Sequence, residues 1–428
     1  MDVIIKNARL QNHHDMVTIK IKDGLIAAIE DVNHLIDDNY TENYENNASE
    51  KASDNNANTV IYDAQGNLVC AGFYESHIHL DKACILDRCS IESGDLEEAV
   101  NETGQAKEEF SEADVFARAC KVIEMAIKKG TVGLRTFVET DAKTQLRSFH
   151  AIKAAREKYA FAMDIEICAF AQDGLTTAPQ TYALLQQALT QGADLIGGCP
   201  YKDEHPDRHI EMIFDLAQQF DVNVDFHLDF DLDPEGSSIP KVVEETIKRQ
   251  YQGRVSIGHV TKLSAMDTLQ RGAMAGLLKF ADISLTVLPA TDIYLNGRNY
   301  EALIPRGMVN ANELAELGIN TTIASNNILN AFTPYGDASL IRMGNMYANI
   351  AQLSKDEEIE TVFDMIGKNA AKILSMQAKI AIGTPATLVV LEAKDAVSAI
   401  RTNAQALAGF KNGKQTFCNA AAFICFNK

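Results

Sequence analysis

ESHIHLDK (residues 75–82) closes an apolar run, LVCAGFYES (68–76), and sets two histidines one residue apart at its end. Side chains on a strand alternate with period two, so His77 and His79 face the same side. Two imidazoles on one face can grip a single metal ion. A surface pair, or one core histidine beside an exposed one, fits the same spacing. The rest of the chain has to decide.

Seven further runs of strand character follow: TVGLRTFVE (131–139), DIEICAFA (164–171), ADLIGGC (193–199), VNVDFHLD (222–229), RVSIGHV (254–260), ISLTVLPA (283–290) and INTTIAS (319–325). Helical patterns separate them, such as ADVFARACKVIEMAIKKG (113–130), with Gly130 as its stop signal. Eight strands alternating with helices predict an α/β fold built on a parallel (β/α)8 barrel, a TIM-type barrel. In such barrels the carboxyl-terminal edge of the strands carries the chemistry.

Both ends of the chain read differently. DVIIKNARLQ (2–11) and VTIKIKDGLIAAIED (17–31) form a meander, with Asp23-Gly24 as a hairpin turn. The tail beyond about residue 380 is again strand-rich and carries Asn412-Gly413 as a second hairpin signal. These ends are expected to build one small β-sandwich domain from 1–66 and 380–428, beside a barrel of 67–379. Residues 32–58 are rich in Asn, Asp and Glu, and predict a long solvated loop with no assigned function.

Bulk properties narrow the class. The 428 residues are 46% apolar and 23% charged, as in a globular chain. Lys plus Arg total 39 against 59 Asp plus Glu, a net charge of −20 that disfavours nucleic acid and anionic membranes as partners. No apolar stretch is long enough for a membrane span, and MDVIIKNARLQ lacks the basic and apolar regions of a signal peptide. Eight scattered cysteines without a C-x-x-C pair read as reduced thiols, so a cytoplasmic protein is expected.

Of the ten histidines, His13 and His14 fall in the first hairpin and His34 opens the polar loop. Four others end candidate barrel strands: His77 and His79 on the first, His227 on the fifth, His259 on the sixth. A barrel gathers all its strand ends around one mouth, so these four are expected to converge on a single ion. Just past the first strand, HLDKACILDRC (79–89) adds Lys82 and Arg88 as candidates to hold an anionic or carbonyl-bearing substrate, with loop salt bridges as the ordinary alternative.

HIH on the first strand, a histidine on the fifth, a histidine on the sixth and a polar turn at the eighth resemble the amidohydrolase superfamily. Within it the chain resembles the branch of cytosine deaminases and N-isopropylammelide hydrolases. CAFAQDGL (168–175), LNGR (295–298) and FTPYGDASLIRMGNMYANIAQL (332–353) are similar to segments of that branch. The resemblance implies one divalent ion, Zn or Fe first, with Mn or Co also compatible. It implies His77, His79, His227 and Asn326 as its ligands, and His259 with Asn326 as catalytic groups. It also implies Gln172 reading the edge of a planar substrate and Phe332 packing on its face. Lys82 and Asp229 complete the candidate substrate contacts. The expected reaction is hydrolysis of a C–N bond in a small nitrogen heterocycle or amide. No nucleic-acid or membrane partner is expected, and the protein is expected to be a homo-oligomer.

Two departures stand out. IASNNILN (323–330) puts Asn326 where the family carries an aspartate that ligates the metal and accepts a proton. HLDF puts Phe230 where cytosine deaminases carry a proton-shuttling glutamate. Asp231 or Glu204 would then have to move protons. Otherwise the chain is a catalytically impaired binding protein that keeps the pocket.

Overall fold

The computed structural model describes residues 2–11, 13–32 and 59–419. His34 and nearly all of the polar stretch 32–58 lie outside them.

Five short strands open the chain: β1 (Asp2–Ala8), β2 (Val17–Lys22), β3 (Leu25–Asp31), β4 (Thr59–Asp63) and β5 (Leu68–Ala71). Eight more follow as β6 (Phe73–Ile78), β7 (Thr131–Glu139), β8 (Asp164–Ala171), β9 (Leu195–Gly198), β10 (Asn223–Leu228), β11 (Val255–His259), β12 (Ser284–Val287) and β13 (Thr321–Ile323). The last three are β14 (Leu388–Leu391), β15 (Ala406–Lys411) and β16 (Lys414–Cys418).

Strands β6 to β13 lie side by side in chain order, all parallel, with helices between them. This is the (β/α)8 barrel that the alternating pattern implies. Its strands are buried on both faces because both are covered; all nine residues of β7 are buried. Helix Glu112–Lys128 shows how the outer layer is specified. Ser111 caps its first turn by accepting from the Asp114 N–H, and Val115, Ala119, Val122, Ile123 and Ala126 bury one stripe.

The barrel closes between its first and last strands. The Asn326 N–H donates to the His77 carbonyl at 2.9 Å, and the His79 N–H donates to the Asn326 carbonyl at 2.8 Å. The seam therefore passes through three of the residues singled out from the sequence.

The terminal strands form two four-stranded sheets, ordered β3-β2-β1-β4 and β16-β15-β14-β5. Alternate residues of each, including Val3, Ile5 and Ile19 from one and Val69, Leu388 and Phe410 from the other, share a single core. That is the sandwich built from both ends, and Asp23-Gly24 and Asn412-Gly413 are its hairpin turns. LVCAGFYES is not one strand, however. Leu68–Ala71 pairs with β14 in the sandwich and Phe73–Ile78 opens the barrel. Gly72 makes the transfer, since a Cβ there would stand 2.4 Å from Val132 Cγ1.

Candidate active site

His77 and His79 reach the same point inside the barrel mouth, as period two requires, and His227 meets them from β10. His79 Nε2 and His77 Nε2 stand 2.8 and 3.1 Å from His227 Nε2. All three rings are buried, and burial holds them well below the usual histidine range, so they are neutral. Phe137 and Phe170 pack against the cluster, with ring centroids 4.1 Å from His77 and 4.3 Å from His227. Gly258 leaves the space for His77, because a Cβ there would lie 2.8 Å from His77 Cε1.

A neutral imidazole carries one N–H, so one nitrogen of His227 cannot satisfy two neighbours at this spacing. Nδ1 of all three rings and Oδ1 of Asn326 are also buried without a partner. Converging lone pairs of neutral imidazoles, beside an uncommitted amide oxygen, are the donor set of a divalent cation. The residues present fit such an ion.

His259 lies beside the trio, its ring centroid 5.3 Å from that of His227, with its nitrogens outside the tight cluster of three. It has a left-handed backbone (φ 70°), and its Nδ1 lies 2.7 Å from Asp292 Oδ1 on helix Pro289–Leu295. Burial pushes the Asp292 carboxyl up, with His259 opposing. The other ring nitrogen, Nε2, faces Asn326 Nδ2 at 3.5 Å. Asn326 is itself left-handed (φ 60°), in the turn that follows β13.

A small cavity opens beside these groups, lined by His79, His227, His259 and Asn326 and by the candidate contacts Lys82, Gln172 and Phe332. Lys82 is 1% exposed, with its ammonium 2.5 Å from Glu139 Oε1, 3.3 Å from Gln172 Oε1 and 4.7 Å from the centre of the Phe332 ring. Glu139 is shared with buried Lys107; burial raises its carboxyl, but the two lysines outweigh that and hold it low, at about 2. Arg88 takes the ordinary alternative, a surface fork on Asp114 at 2.6 and 3.0 Å.

Asp229 is not brought to the cavity. Strand β10 ends at Leu228, Asp229 turns left-handed (φ 52°), and its carboxylate accepts from Ser237 Oγ and the Ser238 N–H. Phe230 does line it, with its ring edge-on to His259 at 4.7 Å. Asp231 pairs with Lys262 and Glu204 is exposed, so neither reaches the site. Among the described residues, no carboxylate lines the cavity. Cys199 does not supply a nucleophile, since burial pushes its thiol up to about 12. Sequence reasoning missed Asp292, Lys107 and Asn327; only Asn327 left a local signal, as the second residue of the polar pair after the last strand.

A model of the amidohydrolase family matches residues 127–417. The chain belongs to the amidohydrolase family. The match takes in His227, His259 and Asn326 and begins after the HIH of the first strand. Among relatives, this amidohydrolase is 26% identical over 366 residues to an N-isopropylammelide isopropyl amidohydrolase of a Pseudomonas species, covering 82% of this chain and 86% of the relative. It is 26% identical over 337 residues to a pterin deaminase of Rhizobium rhizogenes, covering 78% and 76%. The crystal structure of 5-methylcytosine deaminase from Klebsiella pneumoniae with 5-fluorocytosine superposes with a TM-score of 0.89 at 27% identity, covering 100% of this chain and 99% of that one.

Proposed function

We propose that this amidohydrolase is a metal-dependent hydrolase of a C–N bond in a small nitrogen heterocycle, releasing ammonia or an amine. The observation that carries the reading is three buried imidazoles converging beside a cavity with an aromatic wall. Relatives that act as an amidohydrolase of N-isopropylammelide, a pterin deaminase and a 5-methylcytosine deaminase support the reaction class.

His77, His79 and His227 would hold the ion, with the Asn326 amide oxygen as a further ligand; zinc or iron suits this set best. When bound, such an ion lowers the pKa of water toward about 7 and polarises the carbon under attack. The chain's own groups do the rest. Lys82 and Gln172 orient the ring, Phe332 packs on its face, and Phe230 and the phenylalanines beneath exclude water. His259, backed by Asp292, holds or passes a proton at Nε2. A soluble, cytoplasmic homo-oligomer taking a small-molecule substrate completes the proposal, with the sandwich and barrel as its two domains.

A cavity without a lining carboxylate also suits a protein that binds a ring without turning it over. Ammonia release separates the two: the metal-loaded protein is offered amino-substituted pyrimidines, triazines and pterins. Release from at least one is expected, and a metal-replete protein inert across the panel would overturn the hydrolase reading.

A further inference from the structure

Gln172 is held only weakly by its own side-chain contacts. Its Oε1 lies 3.3 Å from the Lys82 ammonium and its Nε2 lies 3.6 Å from Cys199 Sγ. Its place is therefore set by the backbone of the turn 172–176, which follows β8, and that turn is gripped by Asp203. Oδ2 of Asp203 accepts from the Leu175 and Thr176 N–H groups at 2.5 and 3.0 Å and from His209 Nδ1 at 2.9 Å. Oδ1 accepts from Thr176 Oγ1 and, at 3.2 Å, from the His205 N–H. A carboxylate offers about four lone-pair sites, so five donors saturate it. Burial would raise this carboxyl, but the hydrogen bonds from His209, Thr176 and Leu175 outweigh it and hold it well below the usual carboxylate range. Asp203 also closes the short turn Pro200–Lys202 that brings Tyr201 to the cavity, its N–H donating to the Pro200 carbonyl at 2.9 Å.

His209 anchors this carboxylate to helix Pro206–Phe220, and the side chains of both residues are fully buried. An ionised carboxylate only accepts, so Nδ1 carries the hydrogen between them. The fold makes two local sacrifices to put the ring there. Position 198 in β9 is a glycine, where a Cβ would stand 2.1 Å from His209 Nε2, and glycine inside a strand weakens it. His209 Nε2 is itself buried without a partner, which is destabilising. Local costs gathered at one place, behind one wall of a cavity, point to a role beyond packing.

We infer that Asp203 and His209 are positioning residues that fix Gln172 for the substrate. They act through the turn 172–176, and neither lines the cavity. The inference rests on the reading of Gln172 as a substrate contact.

The test uses the metal-loaded protein and the ring it turns over fastest among amino-substituted pyrimidines, triazines and pterins. Asp203→Asn and His209→Ala should each lower kcat/KM by about fivefold or more, with metal content unchanged. His209→Asn places an amide N–H where Nδ1 stands and should keep most of the activity; a merely structural role would spare neither His209 variant, since both leave a void. In a Gln172→Ala background, Asp203→Asn and His209→Ala should cost less than about twofold more, because the group they position is gone. Full multiplication of the losses, or equal losses in His209→Ala and His209→Asn, overturns the inference. If Asp203→Asn does not fold, the two His209 variants carry the same test. A wild type that releases ammonia from no ring sinks the hydrolase reading, and crystal structures then judge this one separately. The Gln172 amide should be displaced in His209→Ala and in place in His209→Asn; an amide unmoved in both overturns the inference.

Discussion

Two polar clusters are buried inside the same barrel, one layer apart, and they are provisioned in opposite ways. Below the Phe137 ring, Arg135 gives Nε to Glu166, Nη1 to Asp225 and Ser256, and Nη2 to the Ile373 carbonyl, at 2.7 to 3.1 Å. Every nitrogen of that guanidinium is spent on the protein. Above it, three imidazoles crowd their Nε2 atoms together, their Nδ1 atoms have no partner, and the Asn326 oxygen is idle. Buried polar groups are normally satisfied, because each one left unpaired costs roughly 1–3 kcal/mol. The lower cluster is nearly saturated, with Asp225 Oδ1 as its unpaired atom. The upper one, resting on it, is open to something that arrives.

The largest effect that could break this contrast comes from the upper layer. His77→Ala with His79→Ala should take bound metal from about one ion per chain to none, and hydrolysis with it, while the circular dichroism of the fold persists. Metal analysis of purified protein is the check, and a metal-replete double variant would mean that these histidines do not form the site. Next comes the missing carboxylate. Asn326→Asp restores a proton acceptor nearly isosterically, so turnover on a ring substrate should rise, with about 10²–10⁴-fold as the scale of a positioned base. A fast wild type and a slow Asp variant would show that the amide has its own role.

The lower layer should respond differently. Arg135→Met strands Asp225 and Glu166 and is expected to cost roughly 3–5 kcal/mol of stability, read from denaturant unfolding. The fraction that still folds should retain metal; selective metal loss at unchanged stability would erase the distinction between the layers. Smallest are the cavity contacts. Gln172→Ala and Phe332→Ala should each lower kcat/KM by about tenfold, roughly 1.4 kcal/mol, without altering metal content. Unchanged kinetics in both would move the substrate elsewhere.

Much of this architecture was legible before any coordinates. Apolar runs alternating with helical periodicity sufficed for eight parallel strands, because a strand buried on both faces leaves an unbroken apolar signature. Period-two spacing sufficed to put His77 and His79 together. The same apolar signature hid the break at Gly72, since two buried strands of different sheets look like one when only a glycine divides them. Asp229 could not be placed from the sequence, because β10 stops one residue earlier and the carboxylate turns to Ser237 and Ser238. Asp292 and Lys107 left no local trace. Their partners, His259 and Glu139, lie 33 and 32 residues away, and only the closed barrel brings them into contact.

The seam at Asn326 gives the metal site a second meaning. Strand β13 is only three residues long, and the two backbone hydrogen bonds that Asn326 makes across the joint stand beside the Ser76–Thr322 and Ser325–Glu75 hydrogen bonds in holding the barrel's two ends together. An ion held by His77, His79 and Asn326 would clip the same joint from inside, tying together chain segments that are almost 250 residues apart in sequence. Free energy of binding would then appear as resistance of the barrel to opening, growing with the logarithm of ion concentration. For this chain the cofactor would also be the buckle of the fold.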